Sequence, residues 1–161
     1  LADIARELRL LAAAEPRQVE TTLLVHPWVL DRFEDFNQFL EIADAAVEAL
    51  GLAGVVQVAS FHPDYRFEGT APDDIANATN RSPYPTLHLL REDSVAEAVE
   101  AHGDADAIFE ANIRRFEQLG TAGWARLRRL IDDAGGNEGG NEGGGEGGPP
   151  ESSPRLRRDR A

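Results

Sequence analysis

Two His-Pro pairs, His26-Pro27 and His62-Pro63, stand 36 residues apart, each closing a run of apolar and β-branched residues. Imidazole titrates near neutrality, so it serves as general acid, general base or metal ligand. His62 keeps further proton-exchanging company in Asp64 and Tyr65, and the three form the candidate catalytic group. A third histidine, His88, lies within a later apolar run. His62, His26 and His88, with Asp64, are the candidate ligands for a divalent metal such as zinc, manganese or iron, since three protein ligands leave a position open for water. No tight ligand spacing such as His-x-x-x-His occurs, so the fold alone would have to assemble that set. The plainer alternative is structural. Proline ends strands because it lacks an N–H, and a histidine inside a strand is commonly a core residue.

A polar cluster follows at Asn77-Ala-Thr-Asn80-Arg81-Ser82-Pro83-Tyr84-Pro85. Its prolines stiffen the backbone, which suits a loop that holds polar groups in place. Asn80, Arg81, Ser82 and Tyr84, with His26, are the candidate ligand-binding residues. The Arg81 guanidinium is a fork matched to a carboxylate or phosphate. The alternative is a self-satisfied loop, with Asn and Ser bonded to local backbone and Arg81 paired to Asp73 or Asp74. No Gly-x-Ser-x-Gly element and no glycine-rich phosphate loop is present.

These groups need elements to carry them. Residues 1–14 have helical spacing, at Leu1, Ile4, Leu8 and Leu11, and stop before Pro16. Residues 20–26 read as a strand. Phe33, Phe36, Leu40, Ala43, Val47 and Leu50 predict a helix ended by Gly51. Strands are expected at about 54–61 and 85–91, with a long irregular stretch between them that includes a short helix near 72–78. Ser94 and Glu97 form a capping-box pattern. Asp104 is expected to cap a further helix that Gly120 stops, and a last helical segment covers 121–131. Strands alternating with helices predict an α/β fold with a small, mostly parallel or mixed sheet of three to four strands. Both His-Pro pairs then share the carboxyl edge of the sheet, where open α/β sheets bind ligands.

The chain has 161 residues, 29 acids and 16 bases, all of them Arg, for a net charge of -13. Absence of Cys excludes a disulfide framework and thiolate chemistry. The acidic balance argues against nucleic acid as a partner, and no apolar run approaches a membrane span. A cytoplasmic location is the default expectation. Residues 1–134 read as one domain, and the chain, which starts at Leu1, reads as the remainder of a longer one. Residues 135–161 hold 9 of the 15 Gly and end in an Arg cluster, the composition of a disordered tail.

The stretches Val58-Ala-Ser-Phe-His62-Pro63-Asp64-Tyr65, Gly69-Thr-Ala-Pro72-Asp73-Asp74 and Thr79-Asn80-Arg81-Ser82-Pro83-Tyr84-Pro85-Thr86-Leu-His88-Leu-Leu-Arg91-Glu92 resemble an uncharacterised bacterial family, domain of unknown function 1415. The resemblance extends over about 1–131 and implies no particular activity. The chain departs from the family pattern in lacking an N-terminal Cys-Pro-Phe element, and in Ala78, where a larger residue is expected. Pro85-Thr86 before an apolar strand is also similar to the core-strand opening of thioredoxin-like proteins, which implies a cis Tyr84–Pro85 bond. Two functions remain open. One is a crevice for a small anionic molecule or a metal, with or without catalysis. The other is a non-catalytic protein-interaction module with an acidic surface.

Overall fold

The computed structural model describes residues 2–103 and 105–135; the expected cap Asp104 and all but the first residue of the expected tail lie outside them. Helix α1 spans Ala2–Ala13 and buries Ile4, Leu8 and Leu11, one face at intervals of four and three. Strand β1 covers Thr21–Val25. Helix α2, Phe33–Ala49, buries Phe36, Ala43 and Val47. It stops where Gly51 takes φ 67°, a conformation that favours glycine. Strand β2 is Val56–Phe61, a 3₁₀ helix occupies Ile75–Asn80, and strand β3 is Thr86–Arg91. Helix α3 covers Glu92–His102, and α4, Ala105–Gly135, bends at Gly120, whose φ of 68° and ψ of 171° are not helical. The break expected at Gly120 is therefore there.

The sheet corrects one expectation. Its order is β1-β3-β2, and both pairings are antiparallel. The helices and strands do make an α/β fold, but among the described residues no two parallel strands are hydrogen-bonded. β1, α2 and β2 make a split β-α-β unit: β1 and β2 run the same way, and β3 inserts between them in the opposite sense. The apolar run of β3 fits its central place, with Leu87 and Leu89 fully buried. The thioredoxin-like alternative loses its support, since the described residues contain no cis peptide bond and the sheet has no parallel pair.

Alternation divides the sheet into two faces. Leu24, Val58, Leu87 and Leu89 join α1 and α2 in the core. The opposite face presents Leu23 and Val25, 58% and 51% exposed. The Ser94–Glu97 capping box is also corrected. The Glu92 N–H donates to the Val55 carbonyl, so β3 passes directly into α3, which starts two residues before Ser94. Glu92 and Asp93 occupy its first turn and face the positive end of the helix dipole.

Arg91, at the end of β3, closes α1. Its guanidinium donates to the carbonyls of Leu11 and Ala14 at 2.7 Å each and to Val19 at 3.0 Å. These carbonyls lie at and just beyond the end of the helix, where intrahelical donors run out. Arg91→Met keeps the aliphatic stem and removes these bonds. It should lower stability by about 1.5–3 kcal/mol, read as a lower urea midpoint at unchanged slope. An unchanged midpoint would mean that α1 is held by apolar packing alone.

Candidate functional site

β1 and β2 both run against β3, so their carboxyl ends share one edge with the start of β3. There the His26 N–H donates to the Pro85 carbonyl at 2.8 Å, and the His62 N–H to the Asn80 carbonyl at 3.1 Å. Both rings turn toward α2. His26 meets Phe39 edge-on, and His62 packs between Phe33 and Phe36.

His62 is completely buried, and both of its ring nitrogens are engaged. The Asp64 N–H donates to Nδ1 at 3.0 Å. Nδ1 is therefore the unprotonated nitrogen, and Nε2 donates to the Leu30 carbonyl at 3.1 Å. Neither nitrogen is left for a metal or a substrate proton. His62 instead ties the β1–α2 connection to the start of the long loop. Leu30 presents its carbonyl from φ 63°, the one positive φ of a non-glycine residue among those described.

The proposed metal set does not gather. His88 projects from the sheet face opposite His62, near Phe61, so the sheet lies between the two. His26 lies in a separate hollow with Asp3, Val29 and Leu30. Among the described residues no three His, Asp or Glu side chains form a ligand group. The Nε2 atoms of His26 and His88 are buried without a hydrogen-bond partner among those residues. Burial is the main cause that lowers both pKa values from the ordinary 6.5.

The 62–85 connection satisfies itself to a large extent. Asn77 is buried. Its carbonyl oxygen accepts from the Phe67 N–H at 3.0 Å and the Thr70 hydroxyl at 2.8 Å, and its amide donates to the Ala71 carbonyl at 2.8 Å. Asn80 donates to the Ser60 carbonyl, and the Ser82 hydroxyl to the Tyr84 carbonyl. Tyr65 packs edge-on against Phe33 and Phe67, and burial raises its pKa above 10.0. Tyr84 is about half exposed. Arg81 pairs with neither Asp73 nor Asp74. Its Nε donates to the Tyr65 carbonyl at 3.2 Å and one terminal nitrogen to the Pro72 carbonyl at 2.6 Å.

Beside this loop lies an open cleft of about 620 Å³. Arg32, Arg66, Arg81 and Arg128 line it, with Asp31, Glu34 and Asp64 among the other walls. Arg32 reaches only as close as 4.0 Å to Asp35. The side chains of Arg66 and Arg128 have no hydrogen bond or ion pair among the described residues. The Arg81 pKa is lowered first by burial and then by the charge of Arg128, while Asp64 opposes the shift. Sequence reasoning singled out Arg81 and Asp64 and missed Arg32, Arg66 and Arg128. Arg66 sits four residues after His62 and could have been read with it. Arg128 comes from beyond the bend in α4, and no local spacing marks it.

These features define a small split β-α-β domain with an arginine-lined cleft at one sheet edge. The chain belongs to the family described as protein of unknown function (DUF1415), whose pattern matches residues 1–126. Arg32, Arg66 and Arg81 fall inside that match, and Arg128 lies just past it. No curated protein and no solved structure matches the chain.

Two outcomes follow for the histidines. His62→Ala leaves the Leu30 carbonyl and the Asp64 N–H unpaired, at about 1–3 kcal/mol each, so urea denaturation should show a loss of several kcal/mol. A near-parental midpoint would contradict the structural role. His88 has a lowered folded pKa, so the unfolded chain takes up a proton first as pH falls. Its contribution to stability is present above pH 6.5 and is lost as pH falls through the lowered folded value. The melting temperature of His88→Phe should therefore fall less between pH 7 and pH 5 than that of the parent, measured by circular dichroism at both pH values.

Proposed function

We propose that this domain binds a small anionic molecule in the cleft between Arg32, Arg66, Arg81 and Arg128. One observation carries the reading: four guanidinium groups line one cleft in a chain of net charge -13, and two of them have no partner among the described residues. Like charges brought together in this way repel, and a bound carboxylate or phosphate relieves the repulsion while accepting forked hydrogen bonds. Arg81 is fixed beforehand by two backbone carbonyls, which lowers the cost of ordering it on binding. Asp31, Glu34 and Asp64 on the same walls keep out ligands with negative charge on every side.

Inorganic phosphate is the simplest probe. It should raise the melting temperature in a saturable way, beyond sodium chloride of equal ionic strength. Arg66→Ala and Arg128→Ala should each weaken that binding about tenfold or more, as expected for a charged hydrogen bond worth about 1.5–3 kcal/mol. Their melting temperatures without phosphate should stay near the parental one, since neither side chain has a polar partner to lose among the described residues. A parent that responds to phosphate no more than to chloride would sink the reading.

A second reading rests on a different surface. β1 is an edge strand without a charged residue from Thr21 to Val25, and Trp28 just beyond it is 91% exposed. Uncharged edges with exposed apolar side chains are places where chains pair, which favours an interaction module. Self-association through β1 would strengthen with salt, because screening reduces the repulsion between two acidic chains. Sedimentation velocity at low and high salt, with Trp28→Ser for comparison, measures it, and a parental monomer at both salts would exclude self-pairing.

A further inference from the structure

We infer that the arginine cleft is half of a two-part site, and that its ligand is an anion carrying a small apolar group. The inference rests on the anion reading above and adds the chemistry of the rest of the ligand. A second space of about 40 Å³ adjoins the cleft, walled by Pro63, Pro83, Trp124 and Ile131 together with Ser82. Pro63, Arg81 and Arg128 line both spaces. The two cations therefore stand at the junction, with an open charged cleft on one side and a small apolar slot on the other.

The slot is built to receive something other than water. Its volume holds roughly three waters. The Ser82 hydroxyl gives its one proton to the Tyr84 carbonyl at 2.6 Å, so towards a water in the slot it can only accept, and the guanidinium groups are the remaining polar side chains of the lining. Two proline rings make rigid walls. Trp124 is steadied edge-on by Phe116, with ring centroids 5.5 Å apart. Ile131 lines the slot and is 42% exposed overall, so a group that covers it removes apolar surface from water.

Arg81 links the two halves. A guanidinium has five N–H donors. The Tyr65 and Pro72 carbonyls take two of them, which leaves the others for an anion at the junction. An anion held there places any substituent next to the slot. Free phosphate would fill the charged half and leave the apolar half empty. The volume limits the substituent to a short acyl chain or the edge of one small ring, so the ligand class is the small aryl or short-chain acyl carboxylates and phosphates.

Phenyl phosphate and inorganic phosphate differ only by the ring and test this directly on the full chain. The protein has two Trp and two Tyr, so Trp28→Phe with excitation at the red edge of the indole band leaves Trp124 as the single emitting residue. Phenyl phosphate should change Trp124 emission in a saturable way and bind about tenfold more tightly than phosphate by calorimetry, a factor equal to about 1.4 kcal/mol. Ile131→Asn, at an exposed position, should erase most of that preference while leaving the affinity for phosphate unchanged. Equal affinity for the two probes with unchanged emission would overturn the two-part site and leave the anion cleft standing. Binding of neither probe would overturn both.

Discussion

A completely buried imidazole must find partners for both nitrogens or destabilise the fold, and much of this structure follows from how His62 meets that requirement. One nitrogen holds the Leu30 carbonyl and the other receives the Asp64 N–H, while the backbone N–H bonds to Asn80. One residue thus joins the β1–α2 connection, the start of the long loop and the end of the 3₁₀ helix. Leu30 accepts a left-handed backbone to make its part of the bond, a conformation that costs a leucine of order 1 kcal/mol. Phe33 and Phe36 close around the ring and so fix the first turns of α2. The walls of the cleft, from Asp31 to Glu34 on one side and Pro63 to Arg66 on the other, are the segments that this imidazole holds together.

The cleft is the electrostatic exception on an acidic chain. Its four arginines come from the β1–α2 connection, the long loop, the end of the 3₁₀ helix and the last third of α4. No single element owns the site. The packing of α4 against the 3₁₀ helix brings Arg128 to Arg81, and the Gly120 bend sets the direction of the chain beyond it. Asn77 does comparable work inside the loop, where a buried amide bonded to Phe67, Thr70 and Ala71 shapes the backbone that leads to Arg81.

The elements were legible in the sequence because they are local. The Phe33–Leu50 spacing marks α2, the three apolar runs mark the strands, and Gly120 marks the break, since each depends on periodicity or on a backbone preference. Strand direction was not legible. A continuous apolar run reads the same whether its neighbours are parallel or antiparallel, and the insertion of β3 between β1 and β2 depends on contacts across the whole domain. The edge shared by the two His-Pro pairs could be anticipated from their strand ends. The fate of His62 could not, because it depends on a carbonyl 32 residues upstream. The arginine cleft was half legible for the same reason: Arg81 and Asp64 lie in a polar loop, whereas Arg128 reaches them only through tertiary packing.

The order of the sheet also sets an order in time. β3 lies at the centre but is the last of the three described strands to be synthesised, and Thr86 lies 61 positions after its partner Val25. At about 5–20 residues per second, a ribosome needs several seconds to pass from one to the other. During that interval β1 and β2 lack the strand that both pair with among the described residues. α1, β1, α2 and β2 are all synthesised before the strand that completes this sheet. Neither ladder can form until the Thr86–Arg91 strand arrives, and that one strand supplies the partner for both.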